Sequence, residues 1–309
     1  MPMLGQNEPI LKPGAADSFY YAGFGTGSDS AVVFDGSSVV LGLSPSSSVY
    51  TLTRDIFPTD MTINAGVTVA CQGFVPYVKG RLKLVDSTSK LIFKANDGSG
   101  LTAGASFSTV GTLNVTAAAG GNGRNTTGAG SNGSGAGSNN VTGTGSGAGG
   151  TAGGANTGGT GNTTVAPTAA QGSIQEFGAM IRKRLQGANS FNGSGGGGGG
   201  GCDVTVGTAT SGGGGSSCGT LMVWCRELEN NGVIAADGGN GANATTAGGG
   251  IAGGGGGGSA GTVMVIAGKV LIEGTIRAAA GQGGTSTNGA SGANGLASGN
   301  VVKFYGNQA

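Results

Sequence analysis

The sequence predicts a mainly β chain: a module of short strands, then stacked β repeats whose ordered glycine-rich loops run as polyglycine or polyproline II-like segments, with one short helix near residues 173–186. Three observations carry this. The first is a repeat. Gly212–Gly215 leads into Thr220-Leu221-Met222-Val223-Trp224, and 42 residues later Gly253–Gly258 leads into Thr262-Val263-Met264-Val265-Ile266. At the same offset Gly232 matches Gly274, Ile234 matches Ile276, Ala236 matches Ala278, Gly239 matches Gly281 and Gly241 matches Gly283. Repeats of this size bury their apolar faces on their neighbours, giving a stacked, elongated object. The second is that glycine supplies 73 of 309 residues, far above average usage. The third is that charged residues are only 9% and aromatics 5%, too few for an ordinary globular core.

Glycine-rich segments are either linkers or ordered arrays. Order is costly, because glycine loses more backbone freedom than any other residue. Dense hydrogen bonding between closely approaching main chains offsets that cost, and only Gly, Ala and Ser are small enough to permit the approach. Disordered chains are typically rich in net charge and proline. Here the formal net charge is +1 and there are 7 prolines, which favours order.

Residues 1–30 mix turn formers with Phe19, Tyr20, Tyr21 and Phe24, a cluster with neither helical nor strand periodicity. This is an arm that packs on something else: the module that follows or, as the preferred expectation, a partner chain. Residues 31–119 form the β module. Its runs are Ala31–Phe34, Val39–Leu41, Val49–Leu52, Met61–Ile63, Val67–Val69, Phe74–Val78, Leu82–Leu84 and Leu91–Phe93, with turn signals Asp35-Gly36, Asn64-Ala65-Gly66 and Gln72-Gly73. Pro76 marks an edge or a bulge in its run. Gly111–Gly120 echoes Gly274–Gly281, giving the repeat an early copy.

Residues 120–172 are a glycine-rich excursion with one charge, Arg124. Its local Gly-X-Gly-X pattern suits flat stacking, whereas a glycine bundle prefers a period of three; the pattern alone leaves both open. Residues 173–187 hold the helix. Ser173 and Glu176 have capping-box spacing, Ile174, Phe177, Ile181 and Leu185 share a face, and Gly187 stands where a helix stops. Arg182, Lys183 and Arg184 fall in the last turns, where the helix dipole favours cations; they are also candidate partner contacts. Residues 188–309 form the repeat domain. Its first strands, apolar on both faces, should be covered on both sides. After the second run, Val270, Ile272, Ile276 and Ala278 face one way, with Leu271, Glu273, Thr275 and Arg277 opposite, and Val301–Tyr305 is a last strand. Glycine tracts that leave and rejoin such strands should project from a β spine.

The chemical inventory is poor. With no histidine, acid/base work falls to carboxylates, lysine, tyrosine or cysteine. Glu227 and Glu229 share a strand face, but their repeat partners are Lys269 and Leu271, so they are read as a solvated face. Cys71, Cys202, Cys218 and Cys225 lack metal-ligand spacing and are read as buried free thiols, with a Cys202–Cys218 bridge as an alternative. No G-x-x-x-x-G-K-[ST] motif occurs, and any G-x-G-x-x-G match follows from glycine content rather than from a strand-to-helix turn. Neither catalytic residues nor a cofactor or metal site are expected. The balanced charge offers no basic footprint for nucleic acid, no apolar stretch is long enough for a membrane helix, and the first residues lack the pattern of a secretory signal.

The stretch Val49–Asp55, continuing through Met61–Val69 to Gly73 and Val78-Lys79-Gly80, resembles the opening module of a family of glycine-rich bacteriophage virion proteins. The turns Ala117-Ala118-Ala119-Gly120-Gly121-Asn122-Gly123 and Ala235-Ala236-Asp237-Gly238-Gly239-Asn240-Gly241 resemble that family's Ala-Asn-Gly-Gly type turns. The glycine tracts are similar to those of phage tail-fibre tip adhesins, whose glycine loops pack as bundles of polyglycine helices with receptor-binding tips. The resemblance implies a non-enzymatic virion protein at the particle surface, a tail-fibre or adhesin component serving host attachment, with other virion proteins and a host receptor as partners and a homotrimeric state. Capsid or tail decoration, or polysaccharide depolymerisation, are the alternatives.

Overall fold

In a computed structural model, residues 24–113, 115–131, 158–159, 197–204, 207–295 and 300–306 are described. The spine is a pair of parallel sheets between which the chain alternates. One sheet holds β1 (Val32–Phe34), β3 (Met61–Ile63), β5 (Tyr77–Leu84), β11 (Thr220–Asn230), β15 (Thr262–Ile272) and β17 (Asn300–Tyr305), in that spatial order. The other holds β2 (Val49–Thr51), β4 (Thr68–Ala70), β6 (Lys90–Ile92), β12 (Val233–Ala235) and β16 (Thr275–Arg277). Successive coils therefore stack as a solenoid, each burying its apolar side chains on the next.

The register shows why this sequence winds. In the five-stranded sheet Tyr50, Val69, Leu91, Ile234 and Ile276 stand in one column. In the six-stranded sheet Val32, Met61, Leu82, Leu228 and Val270 form another. Between the sheets lies one contiguous core running from Phe24 and Val32 to Val302. Each fully buried Leu, Ile or Phe contributes about 1.5–3 kcal/mol. The Phe34, Ile63, Leu84 column ends on Asn230, which is fully buried; its Nδ2 donates to the carbonyls of Glu273 (2.5 Å) and Thr275 (3.3 Å), and its Oδ1 accepts from Gly232 N–H (3.0 Å).

The 42-residue repeat is the coil pitch of the later turns. Thr220 to Leu228 pair with Thr262 to Val270 at that offset, and β12 pairs with β16 at the same one. Met61 pairs with Leu82, only 21 residues on. A 42-residue coil is thus the short coil of the opening module enlarged by a glycine excursion of similar length. The strand runs Leu221–Cys225 and Val263–Ile266 are covered on both sides, with Trp224 half-buried.

Other expectations are corrected. Val39–Leu41 is a turn, closed by reciprocal Val40–Leu43 bonds, that packs against the first coil. Pro76 lies just before β5, where its missing N–H costs nothing and its carbonyl accepts from Trp224 N–H at 3.1 Å. The echo at Gly111–Gly120 holds only for its glycine half: β8 (Val115–Ala117) pairs antiparallel with β7 (Phe107–Val110) instead of joining a parallel sheet, while Ala118 to Gly121 enter the glycine array. The helix expected at 173–186 lies outside the described residues.

Candidate functional site

Three glycine excursions leave the spine: after β6, after β12 and after β16. They assemble into one array whose hydrogen bonding repeats every three residues. Along the segment 211–218, Ser211, Gly214 and Ser217 donate to the carbonyls of Arg124, Gly121 and Ala118, an antiparallel neighbour (2.8, 2.8 and 3.0 Å). Gly212, Gly215 and Cys218 donate to Gly253, Gly256 and Ser259, a parallel one (3.0, 2.9 and 3.0 Å). Gly213 and Ser216 donate to Gly100 and Asn96 (2.7 and 2.9 Å). Carbonyls of the same segment accept from Gly197, Gly200, Gly104, Gly239 and Ala242. This is polyglycine II geometry: with three residues per turn and no internal bonds, successive amides point in three directions and satisfy one another between chains. In the described segments the hydrogen bonding follows the period of three of a bundle. The Gly143–Gly149 tract, with its Gly-X-Gly-X pattern, lies outside the described residues.

Proximity is what requires glycine. A Cβ built on Gly214 would sit 2.0 Å from the Gly197 carbonyl oxygen, on Gly255 2.1 Å from that of Gly213, and on Gly257 2.0 Å from that of Gly281. None of these glycines has positive φ, so it is space, not a turn, that excludes side chains.

At the flank of the array of described residues, side-chain amides and carboxylates accept main-chain N–H groups. Asp97 Oδ1 accepts from Asn240 N–H (2.6 Å), and Asn240 Oδ1 accepts from Gln282 N–H (2.8 Å). Asp237 Oδ1 serves Ala279 N–H, Asn243 Oδ1 serves Thr285 N–H, Asn122 Oδ1 serves Ala103 N–H and Asn294 Oδ1 serves Gly283 N–H. Sequence reasoning missed these residues; the signal was the recurrent Gly-Gly-Asn-Gly, whose Asn is the edge acceptor.

Away from the spine the array ends in a tip. Two small antiparallel pairs, β9 (Cys202–Asp203) with β14 (Ile251–Ala252) and β10 (Thr208–Thr210) with β13 (Thr245–Ala247), enclose a minor core of Cys202, Ala209, Ala244 and Ala252. Around it Asn125, Thr126, Thr127, Asn243, Thr245, Thr287 and Asn288 are exposed. Such a surface offers hydroxyls and carboxamides as hydrogen-bond donors and acceptors, with Arg124 as an exposed cation.

The carboxylate pair is ion-paired. Arg81 binds Glu227 through Nε and Nη2 (3.1 and 3.0 Å) and Glu229 through Nη1 (3.1 Å), and Lys83 reaches Glu229 at 2.9 Å. The Lys83 hydrogen bond, aided by Arg81, holds the Glu229 carboxyl below its usual range. Arg81, Lys83 and Glu227, with Asp60 and Thr62, line an open depression of about 400 Å³. All four cysteines are free and buried, so the Cys202–Cys218 bridge does not form; burial pushes the Cys71, Cys218 and Cys225 thiols far up.

Of the candidate partner contacts, Phe24 is corrected: 1% exposed, it packs edge-on against Trp224 (6.4 Å between centroids) and covers its own spine. An aromatic next to an apolar strand face gains more by covering it than by waiting in water. Phe19, Tyr20, Tyr21, Arg182, Lys183 and Arg184 lie outside the described residues. Comparison of the chain with protein-family models, with curated proteins and with solved structures found no match.

Proposed function

We propose that this chain is a non-enzymatic structural protein of a bacteriophage virion, a tail-fibre or adhesin component whose glycine bundle carries a polar tip to a host receptor. The observation that carries this reading is the bundle itself. A scaffold of interlocked main chains, with side chains almost excluded, is a costly way to build anything except a rigid projection. It ends in a surface of exposed hydroxyls and carboxamides, whose use is recognition rather than chemistry. The resemblance of the opening module to glycine-rich virion proteins supplies the setting. The ion-paired state of Glu227 and Glu229 speaks against the depolymerase alternative.

The test places a long charged side chain on the tip without entering the lattice. Thr126→Arg, Thr245→Arg and Thr287→Arg together should abolish adsorption to host cells while virions assemble normally and the protein keeps its melting transition. Unchanged adsorption would refute the receptor role. Imaging the chain on the particle separates a fibre from a capsid decoration.

A further inference from the structure

We propose that Asn288–Gly289, on the tip, is a site of spontaneous deamidation, and that the fold locks the other described Asn–Gly pairs against the same reaction. The inference is independent of the receptor reading. In an Asn–Gly pair the glycine amide nitrogen, after losing its proton, attacks the side-chain Cγ. A C–N bond forms, the Cγ–Nδ2 bond breaks and ammonia leaves with the proton; water then opens the cyclic imide to aspartate or isoaspartate. Both reacting groups must therefore be free to rotate towards one another.

Among the described residues the sequence holds five such pairs, beginning at Asn122, Asn231, Asn240, Asn288 and Asn294. At three of them the lattice pins both reactants. Gly123 N–H donates to Leu101 O (2.8 Å) while Asn122 Oδ1 holds Ala103 N–H (2.9 Å). Gly241 N–H donates to Gln282 O (2.8 Å) while Asn240 Oδ1 holds Gln282 N–H (2.8 Å). Gly295 N–H donates to Gly281 O (3.0 Å) while Asn294 Oδ1 holds Gly283 N–H (2.8 Å). At the fourth, Gly232 is buried, its N–H is held by Asn230 Oδ1 (3.0 Å), and Asn231 bonds Leu84 O through both its main-chain N–H and its Nδ2 (3.1 and 3.2 Å).

Asn288 differs on both counts. Its side chain is exposed, and its Nδ2 reaches Thr246 Oγ1 and Gly250 O only at 3.4 Å, the weak limit of a hydrogen bond. The N–H of Gly289 is held not by a main-chain carbonyl of a neighbouring lattice segment but by a side chain of its own loop, Ser286 Oγ (2.8 Å), three residues back, which in turn donates to Ala252 O. The product would place a carboxylate, and in the isoaspartyl form an extra backbone methylene, on an otherwise nearly uncharged tip.

The full-length protein is incubated at mildly alkaline pH, folded and in parallel unfolded in urea, and each Asn–Gly peptide is followed by mass spectrometry. In urea all five should convert at similar rates. In the folded protein the Asn288 peptide should convert within about threefold of its urea rate and the other four about tenfold or more slower, because they react only from locally opened states. Asn288→Gln should remove the fast component and leave the melting transition in place. Protection of Asn288 equal to that of the other four, or a faster reaction at any of them, overturns the proposal.

Discussion

Replacing Gly215 by alanine tests the bundle at its centre. The new Cβ would stand 2.0 Å from Gly239 O and 2.4 Å from the Gly239 carbonyl carbon, so the 238–241 chain must retreat by roughly 1.4 Å or more to reach van der Waals contact. Retreat stretches two bonds that hold that chain, Gly239 N–H to Ser216 O (2.9 Å) and Gly258 N–H to Gly239 O (2.8 Å), beyond useful length. Two buried bonds at about 1–3 kcal/mol each, with overpacking strain of about 1–3 kcal/mol, give an expected loss of about 3–9 kcal/mol. The opposing gain from a less flexible unfolded chain is about 0.4–1 kcal/mol. Gly42→Ala is the control: nothing lies within 4 Å of its Cβ, and its φ of +79° costs a side chain about 1–2 kcal/mol. Urea denaturation of both variants, with amide exchange across 211–218, reads the difference. If Gly215→Ala costs no more than Gly42→Ala, the segments are not held in the lattice described and the reasoning fails.

Three further outcomes are expected. Asn230→Leu strips the buried corner of its donor and acceptor and should cost about 2–4 kcal/mol in urea denaturation, despite the gain in apolar volume. Asp29 and Asp35 are both held below the ordinary carboxylate range, Asp29 chiefly by the Arg54 hydrogen bond and Asp35 chiefly by the Ser38 hydroxyl. Because the folded state binds fewer protons at these sites, their contribution is complete above about pH 4–5 and fades as pH falls through the lowered folded values; Asp35→Asn should flatten the acid limb of stability measured against pH. Finally, an alkylating reagent should leave Cys71, Cys218 and Cys225 unmodified in the folded protein, and label Cys202 first on mild destabilisation, because the minor tip core that buries it opens more easily than the spine.

Much of the spine was legible in the sequence because its determinants are local or periodic. Short apolar runs between turn signals marked β1 to β4 and β6, although Phe74–Val78 and Leu82–Leu84, read as two runs, contribute to the single strand β5, and the 42-residue offset indicated which residues of β11 and β15 would be neighbours. Side chains at equivalent places in successive coils stack on one another, so a sequence period becomes a spatial register. Glycine content likewise announced close main-chain approach. What composition could not carry was direction: a glycine run has no side chain to mark which face meets which neighbour. Only the folded structure shows that 211–218 serves an antiparallel neighbour at every third residue and a parallel one at the next, and that Asn122, Asn240 and Asn294 accept main-chain N–H groups with their side chains. Phe24 was misassigned for a related reason. An aromatic without periodicity reveals that it will be buried, but not against what, and the nearest uncovered apolar surface was Trp224, 200 residues away along the chain. Periodic burial is written along the chain, whereas contacts between segments without side chains, or across long excursions, are decided by which main-chain groups remain unsatisfied once the chain has folded.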